Sequence, residues 1–258
     1  MIYSFIGESL IDHSTLTLAI SLRAFGNFSR KSIISKLQVL KICVDPQELE
    51  RAMRLAYLLH DIGKAMSWYQ RKPCKFPYHE VLSSKIVTDL IRLLGINLPG
   101  CILNLISASV LFHHQAMRDI WTYLDKELMI RKVINKILSH EPRIRDEDIK
   151  DINILSLRIS QIIPGKSEKV ISYLIRDIVN NLSVERILGL VRKLAKEQQK
   201  EYFFLIPLFL VPLQMADNTA ASILRPCQSF SRLAKETLRL IENRCELVKS
   251  FTSYRKST

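Results

Sequence analysis

The sequence predicts an all-α fold, a helical bundle with additional accessory helices, and three observations carry the expectation. Apolar residues recur three and four positions apart over nearly the whole chain, the period of a helix with one buried face. No stretch sustains the alternation of a half-buried strand, and no Asn-Gly or Asp-Gly pair offers a tight hairpin turn, so strands are not expected. Helix start and stop residues flank the periodic segments. Asp45 reads as an N-cap with Pro46 in the first turn; Leu49, Met53, Ala56, Tyr57 and His60 share one face, and Gly63 ends the segment. Residues 80–94 repeat the pattern through Val81, Ile86, Leu90 and Leu94 and close at Gly95. Pro99 opens a segment through Leu103, Ile106, Val110 and Leu111 to His113. Further helices are expected over 117–139, 148–162, 166–181, 184–198, 200–224 and 229–249. The polar stretches 140–150 and 163–168 are too short for flexible tethers. The chain therefore reads as one domain, 1–258, with a core of about 10–117 and 200–225. An accessory helical layer spans about 118–195, a C-terminal helix covers 229–249, and Ser250–Thr258 is expected to fray.

Composition narrows the class. A chain of 258 residues with 48% hydrophobic and 24% charged residues can bury a sizeable core and is not disordered. Its 38 Lys+Arg against 25 Asp+Glu give a net charge of +13, which favours a polyanionic partner such as nucleic acid or an anionic membrane surface. The start, MIYSFIGESL, has no basic leader region or small-residue cleavage site. The longest apolar run, Phe203 to Leu213, is interrupted by Pro207 and Pro212 and is shorter than the ~20 residues of a spanning helix; a buried core helix is expected, with no membrane partner. Cys43, Cys74, Cys101, Cys227 and Cys245 are scattered, without a C-x-x-C pair. Reduced thiols in a cytoplasmic protein are the expectation.

The six histidines are the most informative residues. His60 stands beside Asp61, and His113 beside His114. Neighbours inside a helix point about 100° apart and do not easily share one ligand set. Both pairs, however, fall at predicted helix ends, where adjacent side chains can turn into one cavity. His140, between Ser139 and Glu141, reads as an ordinary polar histidine. Asp217, late in an apolar helix, is costly to bury unless paired or metal-bound.

His13, HDIGKAMSWYQ at 60–70, PYHEVLSS at 77–84, FHH at 112–114 and ADNTAAS at 216–222 resemble the HD phosphohydrolase superfamily. Their order and spacing are most similar to the HD nuclease of type I CRISPR interference, in the form without a fused helicase. The resemblance spans roughly residues 10–225 and implies a two-metal site. By similarity, one divalent ion is held by His13, His60, Asp61 and Asp217, and the other by His79, His113 and His114, with Asp61 bridging. Mixed nitrogen and oxygen ligands without thiolate suit Mn, Fe, Co or Ni, with Mg a further occupant. The implied reaction is hydrolysis of a phosphodiester in DNA, single strands foremost, with duplex and RNA as further substrates. Asp61 and Lys64 are the catalytic candidates, Lys64 to neutralise a non-bridging phosphate oxygen. A separate CRISPR helicase and a guide-RNA surveillance complex are the implied partners, since RNA-guided systems leave sequence choice to base pairing.

Between Asp61 and His79, Lys64, Arg71, Lys72 and Lys75 alternate with Trp68, Tyr69, Phe76 and Tyr78. Cations along phosphates and aromatics under bases are how single strands are held without sequence readout. Lys64, Trp68, Arg71, Lys72, Lys75 and Arg118 are therefore the nucleic-acid candidates; core aromatics with solvated lysines are the competing reading. Three rival functions stay open. A simple HD nucleotide phosphohydrolase does not need His79, His113 and His114. A cyclic-dinucleotide phosphodiesterase carries Gly-Tyr-Pro after its histidine pair, where this chain has QAMRDIWTYLD. A non-catalytic scaffold would be expected to have lost ligands. One departure from the nuclease pattern is Gln115, where many relatives have glycine.

Overall fold

The computed structural model describes residues 1–73, 75–114, 121–225 and 232–242. The expected helical architecture is observed, with departures in individual elements, the first of them at the N-terminus, where a hairpin precedes a long helix that was not expected. There β1 (Tyr3–Phe5) and β2 (Glu8–Ser9) form an antiparallel hairpin. Gly7 makes the turn at φ 76°, a conformation open to glycine at little cost. Strands of three and two residues are too short to show alternation, which is why no strand was expected.

Ser9 then caps α1 (Leu10–Val39), its Oγ accepting the Asp12 amide at 3.4 Å. Asp45 caps α2 (Pro46–Leu59) by accepting the Gln47 amide at 2.7 Å. A 3-10 turn at Ile62–Ala65 and the single-turn α3 (Ser67–Gln70) follow. Next come α4 (His79–Leu93), closed by Gly95 at φ 77°, and α5 (Gly100–Phe112). The helix expected over 117–139 is split, within the described residues, into α6 (Trp121–Asp125) and α7 (Glu127–Leu138). Lys126 between them leaves helical geometry at φ −101°, ψ 14°, which lets α7 turn Ile130, Ile134 and Ile137 inward.

The remaining helices are α8 (Ile149–Ile162), α9 (Glu168–Asn180), α10 (Val184–Glu197), α11 (Ile206–Leu224) and α12 (Arg232–Glu242). Ser167 and Ser183 cap α9 and α10. The segment expected from 200 begins instead as a 3-10 turn, Glu201–Leu205. Pro207 has no N–H to bond back to Phe203, so α-helical bonding starts around it. The stretch Glu201–Leu224 does reach the length and apolarity that could cross a membrane, contrary to the shorter run read from sequence. Most of it is buried against protein: α11 packs along α1 and also touches α5 and α12.

One apolar cluster runs from Ile2 and Leu10 through α2, α4 and α5 to α8, α9 and α10. A smaller one joins Leu16 and Ile20 of α1 to Ala216 and Ala220 of α11 and Ile241 of α12. This packing brings the start of α1, the ends of α2 and α5, the start of α4 and the middle of α11 to one place.

Candidate metal centre

Helix ends build the site. His60 is the last residue leaving α2, and Asp61 at φ −107°, ψ 7° starts the 3-10 turn. The change of direction aims both side chains inward. His113 and His114 leave α5 in the same way. His79 opens α4 directly after Tyr78, whose φ of 61° is a strained left-handed geometry for a non-glycine residue. Gly63 lets the turn press against α4: a Cβ there would collide with the His79 carbonyl oxygen, and its amide donates to Ser83 Oγ at 2.8 Å.

Seven side chains converge in two overlapping groups, His13–His60–Asp61–Asp217 and Asp61–His79–His113–His114. Within each group the candidate ligand atoms all lie within 4.8 Å of one another. Asp61 divides its oxygens between them. Oδ1 lies 3.0 Å from His79 Nε2, 3.2 Å from His113 Nε2 and 3.6 Å from His114 Nε2. Oδ2 lies 3.5 Å from His13 Nε2 and 3.6 Å from His60 Nε2, and accepts from Lys64 Nζ at 2.6 Å. Asp217 Oδ1 is 2.8 Å from His13 Nε2 and 3.4 Å from His60 Nε2. All of these residues are buried except His114, whose side chain is 35% exposed.

The rings are held with Nε2 inward. The Nδ1–H groups of His60, His79 and His113 donate to the carbonyls of Tyr57, Phe76 and Val110, at 2.9, 2.6 and 2.6 Å. A carbonyl only accepts, so a neutral ring presents an Nε2 lone pair to the site. His60 Nε2 is buried without a hydrogen bond, facing the two carboxylates. His79 Nε2 lies 3.0 Å from Asp61 Oδ1 and 2.8 Å from His114 Nε2, and its pKa is pushed down to about 4 by burial and then by Lys64, so this ring is neutral. Acceptors turned toward acceptors in a buried site are costly, and a divalent ion between them satisfies both.

The carboxylates stay ionised. Burial opposes the charge of Asp61, but Lys64 and then His60 hold it well below the usual carboxylate range. Burial likewise opposes Asp217, and the hydrogen bond from His13, with the His60 ring beside it, outweighs burial and holds its pKa well below the usual carboxylate range. Burial works against a charged His13, yet its bonds to Asp217 and Glu8 raise its pKa to about 9. His114 is lowered, by burial and then by His113.

A cleft of about 650 Å³ opens onto the second group, where His79 and His114 line its floor. Phe5, Phe76, Lys64 and Arg225 stand in its wall. Of the nucleic-acid candidates, Lys64 alone is in this lining. Trp68 is half-buried, packs against the main apolar cluster, and stands edge-on to Tyr69 at 5.2 Å; this is the core-aromatic alternative rather than a stacking platform. Arg71, Lys72 and Lys75 are exposed and outside the lining, and Arg118 lies outside the described residues.

Two residues were missed by the sequence reading. Glu8 Oε1 accepts from His13 Nδ1 at 2.6 Å, and its Oε2 accepts from Arg225 Nε at 2.6 Å. Their only signal in the chain is an acid shortly before a histidine, which is too common to single out.

The HD domain family model matches residues 11–141, a span that contains six of the seven converging residues and omits Asp217. The CRISPR-associated endonuclease Cas3-HD of Methanocaldococcus jannaschii is 26% identical, over 85% of this chain and 88% of that protein. A metal-dependent hydrolase is the activity that this family and this cluster support together. With its family match extending over half its length, the chain belongs to the HD domain family.

Proposed function

We propose that this chain is a metal-dependent nuclease that hydrolyses phosphodiester bonds of DNA, single strands foremost, in CRISPR antiviral defence. The observation that carries the reading is the division of Asp61: one oxygen faces three histidines and the other faces two more and a lysine. His13, His60, Asp61 and Asp217 would hold one divalent ion, and Asp61, His79, His113 and His114 a second. Such ions, when bound, supply Lewis acidity that stabilises the attacking and leaving oxygens of an in-line displacement. The backbone carbonyls beneath His60, His79 and His113 fix the tautomer each ligand needs.

Lys64 places a buried ammonium at the boundary of the centre and the cleft, where it can meet a non-bridging phosphate oxygen. Phe5 and Phe76 line the cleft with Arg225 and Lys64 against their rings, a combination of apolar and cationic groups suited to bases and phosphates. A net charge of +13 favours a polymer over a mononucleotide. The relative's name supports the CRISPR setting, in which a separate helicase and a guide-RNA complex would deliver the strand in the cytoplasm.

The test compares wild type with Asp61→Ala on labelled single-stranded DNA, metal-stripped and with Mn²⁺ added. A nucleoside triphosphate and a cyclic dinucleotide run alongside. Mn²⁺-dependent DNA cleavage lost in Asp61→Ala supports the proposal. Intact DNA with a hydrolysed nucleotide replaces it with a small-molecule phosphohydrolase, and no hydrolysis of any of them removes the enzyme reading.

A further inference from the structure

Four ligand histidines have a defined partner for the nitrogen facing away from the centre, and His13 differs from the others. His60 and His113 leave helices at their C-terminal ends, where carbonyls have no helical partner. Each uses the carbonyl three residues back. His79 follows the loop and takes Phe76 O, with Glu80 farther away at 3.4 Å. His13 lies in the first turn of α1, where the preceding helical carbonyls are already taken by the amides ahead of them. It therefore needs an acceptor from outside the helix. Glu8 supplies one, at 2.6 Å and 1% side-chain exposure. The hairpin turn at Gly7 sets Glu8 just ahead of the helix.

The other oxygen of Glu8 is held just as firmly. Arg225, at the end of α11, donates its Nε to Oε2 at 2.6 Å. Its guanidinium lies 4.4 Å from the centre of the Phe5 ring, within cation–π range. Arg225 and Asp217 both belong to the α11 end of the centre, so this clasp joins hairpin, α1 and α11 around one metal ligand.

We propose that Glu8 is the positioning residue of the first metal group: it accepts the hydrogen bond of His13 Nδ1–H, which leaves Nε2 as the nitrogen that would hold the ion, while Arg225 holds its second oxygen. This rests on the metal-centre reading above and concerns metal affinity, not cleavage. A carboxylate suits the place because both of its oxygens accept. An amide does not. In Glu8→Gln, Arg225 offers only donors and claims the amide oxygen. The NH₂ is then turned to His13 Nδ1, which must accept, and the ring proton moves to Nε2, where the ion should bind. The near-isosteric variant is therefore predicted to be harmful, and removing the arginine should repair it. In Glu8→Gln with Arg225→Met, the amide is free to turn its oxygen to His13.

The experiment is a Mn²⁺ titration of metal-stripped wild type, Glu8→Gln, Glu8→Gln/Arg225→Met and Glu8→Ala, followed by calorimetry, with thermal melts of each metal-free protein. The expected result is two ions on wild type, one of them weakened about 10- to 100-fold in Glu8→Gln, and most of that loss recovered in the double variant. A role in packing alone would add the two losses rather than cancel them. Wild-type affinity for both ions in Glu8→Gln overturns the proposal, as does a double variant that binds no tighter than Glu8→Gln. If Glu8→Gln does not fold, Glu8→Ala decides: loss of at least about 10-fold at one ion supports the role, and unchanged binding overturns it. Wild type that takes up no Mn²⁺ would instead remove the metal-centre reading on which the proposal stands.

Discussion

Gly63 tests whether the centre depends on close contact between the 3-10 turn and α4. Its φ is not in the left-handed region, so alanine is conformationally allowed, and in open space Gly63→Ala would stabilise by about 0.4–1 kcal/mol. The space is not open. The new Cβ would overlap the His79 carbonyl oxygen and sit 2.9 Å from Ser83 Oγ and 3.0 Å from Leu82 Cβ. Two of these three neighbours cannot swing away, because one is backbone and one is a Cβ. Overpacking of this kind costs about 1–3 kcal/mol, and displacing the turn also weakens the Gly63 amide bond to Ser83, worth about 1 kcal/mol. The net expectation is destabilisation by about 2 kcal/mol, or a melting temperature lower by roughly 4–8 °C for a chain of this size. Gly189, exposed within α10 with nothing within 4 Å of its added Cβ, is the control. There Gly→Ala should stabilise by about 0.5–1 kcal/mol. Urea denaturation of both variants, metal-free, reads the two signs. Adding Ser83→Ala to Gly63→Ala removes one contact but leaves the carbonyl, so rescue should be partial. Full rescue, or a Gly63→Ala protein as stable as wild type, would show that the turn does not press on α4 as described.

Two further outcomes follow from the charges. Saturating metal-stripped protein with Mn²⁺ at about 100 times its dissociation constant should add about 2.7 kcal/mol per ion, seen as roughly 5–10 °C each in a melt; Ca²⁺, a poor match for imidazole, should add much less. Away from the centre, burial opposes the charge of Glu50, but Arg30, at 2.6 Å, and Arg54 lower its pKa. A carboxylate whose folded pKa is depressed adds stability above its unfolded pKa and loses it as pH falls through the folded one. Glu50→Gln should therefore cost about 1 kcal/mol at neutral pH, after allowing for its partial exposure. That cost should shrink between about pH 5 and pH 3, and a pH-independent difference in urea midpoints would refute the assignment.

How far the site could be read in advance depended on where each residue stands along the chain. His60–Asp61 and His113–His114 sit at helix ends marked by local text, a glycine stop in one case and a change of pattern in the other. Asp217 stood out because a carboxylate on an apolar helix needs a reason. Glu8 and Arg225 had no such mark: they meet across 217 positions, through a hairpin too short to show strand alternation. The basic and aromatic segment was legible as a composition but not as a surface. α3 is a single turn, and the described residues between it and α4 form no helix or strand. Periodicity therefore could not say that Phe76 lines the cleft while Trp68 packs inward. Short elements carry too few residues for their buried face to be inferred, and here those elements shape the mouth of the site.

The same donor and acceptor logic makes Asp61→Asn informative about the two groups separately. Asp61 Oδ2 accepts from the buried Lys64 ammonium at 2.6 Å, and Lys64 has no acceptor to offer an amide. An asparagine therefore keeps its oxygen on the Lys64 side, with His13 and His60, and turns its NH₂ toward His79 and His113. Their Nε2 lone pairs accept it readily, because their Nδ1 protons are committed to Phe76 and Val110. The first group keeps an oxygen ligand, though a weaker one, while the second has its bridging ligand replaced by a donor. Asp61→Asn should thus retain one Mn²⁺ with modest weakening and lose the other, with little loss of metal-free stability. Adding Lys64→Met removes the preference, so the amide can turn either way and binding at the second group should partly return. Equal weakening of both ions in Asp61→Asn, unchanged by Lys64→Met, would mean that the two oxygens of Asp61 do not serve separate groups.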